Sequence, residues 1–156
     1  MKSPDNAFRY EDGPHSAEFN PESNAVDNNY PQTRWLKAIQ EDLAARADWC
    51  IKPFAAANHA PVLSVKEGAD LYANAGQKLL LHIDATDPDK NTVQFKAWCY
   101  QEAGTSKAEI LLNGKIASIV IPATAKKGET FHFIIEGNDN GSPSLTRYKR
   151  VIVSVI

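Results

Sequence analysis

The spacing of apolar positions along the chain changes near residue 57, from a step of three to four residues to strict alternation. Within residues 33–52 the apolar residues that recur at steps of three and four are Leu36, Ile39, Leu43, Ala47 and Cys50. This spacing places them on one face of an α-helix. Pro53 ends the helix and Thr33 suits its N-cap. An isolated helix of this length is marginal in water, so we expect this apolar stripe to cover a surface.

Beyond residue 57 the alternation predicts β-strands. The runs that alternate are 61–65, 78–84, 92–100, 108–112, 115–121, 131–137 and 147–155. Turn residues separate them, and Asn113-Gly114 between two apolar runs is a strong hairpin signal. Seven short strands with no helix between them predict an antiparallel, seven-stranded Ig-like β-sandwich.

The organisation that follows has two parts. Residues 1–32 contain Pro4, Pro14, Pro21 and Pro31 and show no apolar period, which predicts an irregular leader. We therefore expect residues 1–57 to hold the leader and the linker helix 33–52, and residues 58–156 to form the sandwich domain. The predicted core residues are Leu79, Leu81, Ile83, Phe95, Phe133 and Val153.

Composition narrows the classes of partner. The formal net charge is -2, without the basic excess that a phosphate backbone requires, so nucleic acid is not an expected partner. No run of 18 apolar residues occurs, and the N-terminus lacks the apolar region of a signal peptide. Cys50 and Cys99 could form one disulfide, but the burial habits of free cysteine favour two unpaired thiols.

An acidic corner, Asp87-Pro88-Asp89-Lys90-Asn91, follows the second predicted strand. In an Ig-like sandwich the turns after the second and sixth strands lie at the same end, so we expect this corner to approach Asn138 and Asp139, with Asn58 and His59 nearby. Two interpretations stand. Asp and Asn side chains cap turns by bonding to their own backbone, which needs no ion and is favoured. Alternatively, oxygen ligands for Ca²⁺ would come from Asp87, Asp89, Asn91 and Asp139.

The third predicted strand has one amphipathic face. Val93, Phe95, Ala97 and Cys99 share the face predicted to be buried, and the residues that alternate with them are Gln94, Lys96, Trp98 and Tyr100. Trp98 and Tyr100 would stand roughly 7 Å apart on one face, a spacing that suits contact along a glycan chain. The side chains placed to bond sugar hydroxyls are Gln94, Lys96 and Glu102. The competing interpretation, which is favoured, is that Trp98 and Tyr100 pack under the 33–52 helix, which would cover an otherwise exposed patch.

Catalytic signatures are missing from the sequence. The histidines, at positions 15, 59, 82 and 132, lack the spacing of zinc sites, and no nucleophile elbow, phosphate-binding loop or dinucleotide fingerprint occurs. We therefore expect no enzyme activity and no cofactor, apart from the Ca²⁺ alternative.

Several segments together resemble one bacterial family. They are "RWLKAIQEDLAARADW", "NHAPV", "DATDPDKNTVQFKAW" and "FHFIIEGNDNGSPSLTRYKRVIVSV". They are similar to the linker helix and C-terminal Ig-like domain of proteins described as cellulose-binding, which carry an N-terminal nucleoside-hydrolase-like domain. The corner also resembles polycystic-kidney-disease-type (PKD) and cadherin-like repeats. Two positions depart from the family: Lys90 stands where it usually has Gly, and Ala97 where it tends to have Trp, so Phe95, Phe131 and Phe133 must fill the centre.

The resemblance implies a non-catalytic carbohydrate-binding module of a larger extracellular or periplasmic protein, with a polysaccharide such as cellulose as partner. The fold it implies is the fibronectin III/PKD-like variety of the sandwich. Two alternatives remain open: a structural accessory domain that docks and stabilises a hydrolase-like domain, and a Ca²⁺-dependent, cadherin-like interaction repeat.

Overall fold

A computed structural model describes residues 17–156, in two compact units of which the first ends at Gln40 and the second is Glu41–Ile156. The described part of the first unit holds strands β1 (Glu18–Asn20) and β2 (Ala25–Asp27), helix α1 (Tyr30–Thr33) and the start of helix α2 (Leu36–Ile51).

The prediction of an irregular leader over residues 1–32 is wrong where β1, β2 and the start of α1 form. β1 and β2 form an antiparallel hairpin. The Asn20 side chain accepts the backbone N–H of Glu22, and Asn24 takes a left-handed conformation, with φ of 53°, that asparagine tolerates well. These strands are too short to show an apolar period, so no pattern revealed them. The rest of the leader, residues 1–16, lies outside the described residues.

The predicted helix is confirmed, but it begins at Leu36 rather than after Thr33, because Tyr30–Thr33 forms the separate helix α1. In the second unit the helix meets the sandwich through one face. Ala45 is fully buried, and Trp49 donates its indole N–H to the carbonyl of Asn58 at 2.7 Å. Asp42 accepts from the guanidinium of Arg147 at 2.9 Å.

The sandwich contains two four-stranded sheets. One has the order β3-β5-β8-β7 and the other the order β4-β10-β9-β6. The strand bounds are β3 Val62–Val65, β4 Asp70–Ala73, β5 Lys78–Thr86, β6 Gln94–Cys99, β7 Glu109–Asn113, β8 Ile116–Val120, β9 Thr130–Asn138 and β10 Thr146–Val155. The chain is therefore mainly β, with an Ig-like sandwich, as the alternation predicts. Asn113-Gly114 makes the β7–β8 hairpin, with Gly114 at φ of 59°.

The predicted count of seven strands is wrong, because β4 makes an eighth. β4 also pairs in parallel with β10, whereas every other pairing in the sandwich is antiparallel. β3 and β4 lie in different sheets, and the chain crosses between them through a turn at Gly68, whose φ is 96°. A four-residue edge strand carries too little alternation to be distinguished from a loop.

The core lies between the two sheets. Of the predicted core residues, four are buried, namely Leu81, Ile83, Phe133 and Val153, and two are partly buried against them, Leu79 and Phe95. Phe131 and Phe133 are fully buried beside Ala97, so large phenylalanines occupy the centre of the sandwich, as the Ala97 departure requires. The two cysteines are free thiols.

Candidate functional site

The outer face of the β4-β10-β9-β6 sheet carries the side chains predicted to bind glycan. Phe95, Ala97 and Cys99 pack against the core, so Gln94, Lys96 and Trp98 project from the opposite side of β6. Gln94 and Lys96 are exposed, whereas Trp98 and Tyr100 are half-buried. Tyr100 follows β6 directly, and Glu102 lies exposed in the short 3₁₀ turn Gln101–Ala103. The structure thus brings four of the five residues together along one strand and its end, with Glu102 on the adjoining turn.

The two aromatic rings form a close pair. The ring centroids of Trp98 and Tyr100 lie 5.5 Å apart, with an angle of 54° between the ring planes. The indole N–H of Trp98 donates to Oε1 of Glu136 at 2.6 Å, a charge-assisted bond that fixes the ring. We call Trp98, Tyr100 and Glu136 the aromatic site.

Strand register arranges the polar neighbours of this site in rows across three strands. Trp98 lies opposite Ile134, which lies opposite Arg150, and the next row is Lys96, Glu136 and Tyr148. Ile134 is only 5% exposed although it projects from the outer face. Ile134 is therefore covered on the outer face, and the row beside it presents the polar side chains Lys96, Glu136 and Tyr148.

Two titrating groups on this face have shifted pKa values. Burial, together with the negative charges of Glu136 and Glu41, raises the pKa of Tyr148 to about 12, so its hydroxyl stays a neutral donor at ordinary pH. Burial and the Arg150 guanidinium lower the pKa of His132. Arg150 also donates to Nδ1 of His132, which acts as the neutral acceptor. His132 lies on the outer face beneath Arg150 and is only 7% exposed.

Glu136 and the pair of Arg150 with His132 were missed by sequence reasoning. Glu136 alternates with the buried residues of β9, which marks it as outward-facing, but its partnership with Trp98 depends on how β6 and β9 align. No local signal in the sequence reports that alignment.

The acidic corner is assembled as the topology predicts. Asn58 donates through Nδ2 to Oδ2 of Asp139 at 3.0 Å and to the Pro143 carbonyl at 2.8 Å. The same side chain accepts at Oδ1 from Nδ2 of Asn91, at 2.7 Å. Asp89 accepts the backbone N–H of His59 at 2.5 Å. Asn58 therefore ties the N-terminal end of the domain to both acidic turns.

Most of the carboxylate oxygens at this corner already accept hydrogen bonds from the protein. Oδ1 of Asp139 accepts the backbone N–H groups of Gly141 and Leu145, and Oδ1 of Asp87 accepts those of Asp89 and Asn91. Oδ2 of Asp87 is buried with no hydrogen-bond partner in the part of the chain that the structure describes. These contacts match the turn-capping interpretation.

The four residues named for Ca²⁺ lie at one end of the sandwich, yet they do not form a ligand cluster. Within residues 17–156, no group of three or more His, Cys, Asp or Glu side chains is placed to hold a metal ion. The Ca²⁺ site therefore stays a prediction.

Among residues 17–156, no helix is long and apolar enough to cross a membrane.

Comparison with known proteins shows what the sandwich resembles. The sequence model of the family described as "Cellulose-binding protein Sde0182, C-terminal domain" matches residues 80–155. A solved structure of a nucleoside hydrolase-related protein from Saccharophagus degradans, described as associated with carbohydrate metabolism, is 34% identical, with a TM-score of 0.74. The match covers 79% of this chain and 32% of that chain. The fold is thus an Ig-like β-sandwich, and residues 80–155 are similar to the C-terminal domain of the family described as cellulose-binding.

Two further matches are more distant. Human CDH23 EC21-23 is 17% identical, covers 62% of this chain and 33% of that chain, and has a TM-score of 0.43. The fibrinogen beta chain of Gallus gallus is 26% identical over 106 residues, which is 60% of this chain and 22% of that protein. The chain thus spans about a third or less of each protein that it matches here, and neither of these two supports a conclusion about its function.

Proposed function

We propose that this chain is a non-catalytic carbohydrate-binding domain, which contacts β-linked glucan through the aromatic site. The observation that carries the proposal is the Trp98–Tyr100 pair, held on an outer sheet face by Glu136. The description of the family as cellulose-binding supports the choice of ligand. It also supports an extracellular or periplasmic location for the protein, since polysaccharides of this kind lie outside the cell.

The chemistry of the aromatic site suits a sugar. The faces of a pyranose ring carry C–H groups that pack on flat aromatic rings at little cost in side-chain entropy. Because Glu136 fixes the Trp98 indole before a ligand arrives, less conformational freedom is lost on binding. Lys96 and Gln94, both exposed on the same strand, supply hydrogen-bond donors for hydroxyl groups.

The affinity should be modest. Aromatic contacts contribute on the order of 1 kcal/mol each beyond area burial, so two rings support binding in about the high micromolar range.

The test is retention on insoluble cellulose. Trp98→Ala should weaken binding about tenfold, the ratio that about 1.4 kcal/mol corresponds to. Tyr72→Ala is the matched control, because Tyr72 is an exposed aromatic on the outer face of edge strand β4. It should leave retention unchanged.

Two outcomes would refute glycan binding at this site. One is a wild-type chain that binds neither cellulose nor chitin nor xylan. The other is undiminished binding by two Trp98 variants. Trp98→Phe and Trp98→Ala would both stay folded, by their circular dichroism and melting temperature, and both would bind cellulose as well as the wild type does.

A second candidate is a structural accessory domain, which docks on a nucleoside-hydrolase-like domain of a longer protein. The observation in its favour is that this chain matches only 32% of the Saccharophagus degradans protein, whose description names it nucleoside hydrolase-related. The two candidate functions use different residues and can both be correct, so each needs its own measurement.

A further inference from the structure

One strip of the surface of the second unit is apolar and exposed. It comprises Leu43, Cys50 and Ile51 of α2. Leu43 is 67% exposed and Ile51 81%, and Cys50 is exposed as well. Leu43 and Cys50, seven residues apart, lie on the same side of the helix axis, and Ile51 flanks them at the end of the helix. We call this set the helix strip.

Two residues of the helix strip, Leu43 and Cys50, belong to the apolar stripe that the sequence predicts to cover a surface, and the structure turns both outward. The opposite side of α2 is held inward by specific contacts. Trp49 donates to the Asn58 carbonyl and its ring stacks on His59, with centroids 5.5 Å apart and planes 5° from parallel. Asp42 binds Arg147. These contacts fix the rotation of the helix about its axis, so the strip cannot roll inward without breaking them.

Charges beside the helix strip are already paired within the helix. Asp42 also binds Arg46 at 2.6 Å, and Asp48 binds Lys52 at 2.8 Å, both with i,i+4 spacing. The guanidinium of Arg46 holds the pKa of Asp42 below its usual value. Between these pairs, the strip itself bears no charge. An uncharged apolar strip rimmed by paired charges is the composition of a protein contact surface rather than of a solvated helix face.

We propose that the helix strip docks on the nucleoside-hydrolase-like domain of a longer protein; this rests on the accessory role proposed above. The Saccharophagus degradans match covers 79% of this chain, more than residues 58–156 make up, so it includes residues before the sandwich. About two thirds of that protein has no counterpart here. The match thus reaches beyond the sandwich toward the segment that holds α2, in a protein most of whose chain lies outside the match.

The size of the strip favours an attached domain over a separate partner. Stable complexes between free proteins bury about 1,200–2,000 Å², which three side chains do not supply. A domain in the same polypeptide is held at a high effective concentration, so a smaller contact suffices. A second copy of this chain is therefore the weaker alternative, and the experiment below distinguishes it.

The chain carries a reporter for the docking. Cys50 is exposed within the helix strip, whereas Cys99 is half-buried on β6, where burial raises the pKa of its thiol and slows its reaction. Alkylation by iodoacetamide, followed at each cysteine by mass spectrometry, compares two proteins: this chain alone, and the chain joined behind the unmatched two thirds of the Saccharophagus degradans protein. Docking should slow alkylation of Cys50 at least tenfold in the joined protein and leave Cys99 unchanged.

Substitutions separate docking from other effects. Leu43→Asp and Ile51→Asp in the joined protein should restore the Cys50 rate of the chain alone. Leu111→Asp should not, because Leu111 is 71% exposed on edge strand β7, in the other sheet. All three variants should still bind cellulose as the wild type does, so failure of docking and failure of glycan binding give different results. Equal Cys50 rates in the two wild-type proteins would overturn the proposal. Protection of Cys50 that grows with the concentration of this chain alone would also overturn it, in favour of self-association.

Discussion

The sandwich and helix α2 both carry a periodic pattern of apolar residues, but these residues are buried in the sandwich and exposed on α2. In the sandwich, alternating residues such as Leu81 and Phe133 are fully buried between the sheets. In α2, the periodic residue Leu43 is exposed, and the buried residue is Ala45, which no apolar stripe includes. Both patterns predicted the secondary structure correctly, but only one predicted which side faces the protein.

The difference shows what a hydrophobic pattern reports. It identifies side chains whose burial is favourable, and it does not identify the surface that covers them. Each strand face is covered by the opposite sheet of the same domain, so the partner is present in the chain. The inward face of α2 is instead chosen by polar contacts, above all the Trp49 indole on the Asn58 carbonyl and Asp42 on Arg147.

The largest expected effect contrasts the two regions directly. Phe133→Ala should lower the free energy of unfolding by about 3–5 kcal/mol, because it removes a fully buried ring and leaves a cavity. Leu43→Ala should change it by about 0.5 kcal/mol or less, since an exposed side chain loses little burial. Urea denaturation of both variants measures this. A large loss for Leu43→Ala would mean that the chain covers this residue after all.

The acidic corner should give the next largest effect. Asn58→Ala leaves Oδ2 of the buried Asp139 and the Pro143 carbonyl without the donor that Asn58 supplies, so we expect a loss of about 1–3 kcal/mol. Gly141→Ala should destabilise the same corner, because its new Cβ would collide with the Asn58 side chain. The control Asp70→Ala, at an exposed position of edge strand β4, should be close to neutral.

Calcium tests the remaining interpretation of that corner. If turn capping is the whole role of Asp87, Asp89 and Asp139, millimolar Ca²⁺ and a chelator should both leave the melting temperature unchanged. A rise with Ca²⁺, which mass action on a bound ion would produce, would instead support a ligand role for these residues.

The contact that orients α2 can be weakened without removing an aromatic ring. Trp49→Phe keeps the stacking surface over His59 and removes the indole donor to the Asn58 carbonyl. We expect a loss of about 1 kcal/mol and faster amide exchange in residues 41–51, measured by mass spectrometry. Unchanged exchange would show that this hydrogen bond does not hold the helix in place.

The smallest effect has the opposite sign. Lys90 has a φ of 64°, in the left-handed region where glycine carries no steric cost. Lys90→Gly should therefore stabilise the chain by about 0.5–1 kcal/mol in thermal or urea unfolding. Lys127→Gly, at a turn position without a positive φ, should not stabilise it. A destabilised Lys90→Gly chain would mean that the flexibility added to the unfolded state outweighs the strain relieved.

Much of the fold was predictable because its signals are local. Strict alternation identified seven of the eight sandwich strands, and Asn113-Gly114 identified the hairpin between β7 and β8. An Ig-like order of strands places certain turns at the same end of the sandwich. The contacts of Asp89 with His59 and of Asn58 with Asp139 followed from that placement. β4 was missed because four residues that pair in parallel with the distant β10 leave almost no periodic trace.

The sequence by itself determined which residues favour burial and where the chain turns, because periodicity and turn chemistry act between neighbours in the chain. Only the tertiary structure decided which partners those residues meet. The indole of Trp98 reaches Glu136 because β6 and β9 pair in one register. His132 is buried beneath Arg150 because β9 and β10 are adjacent. The apolar side of α2 faces outward because hydrogen bonds to Asn58 and Arg147 hold the other side, and such contacts between distant residues leave no period to detect.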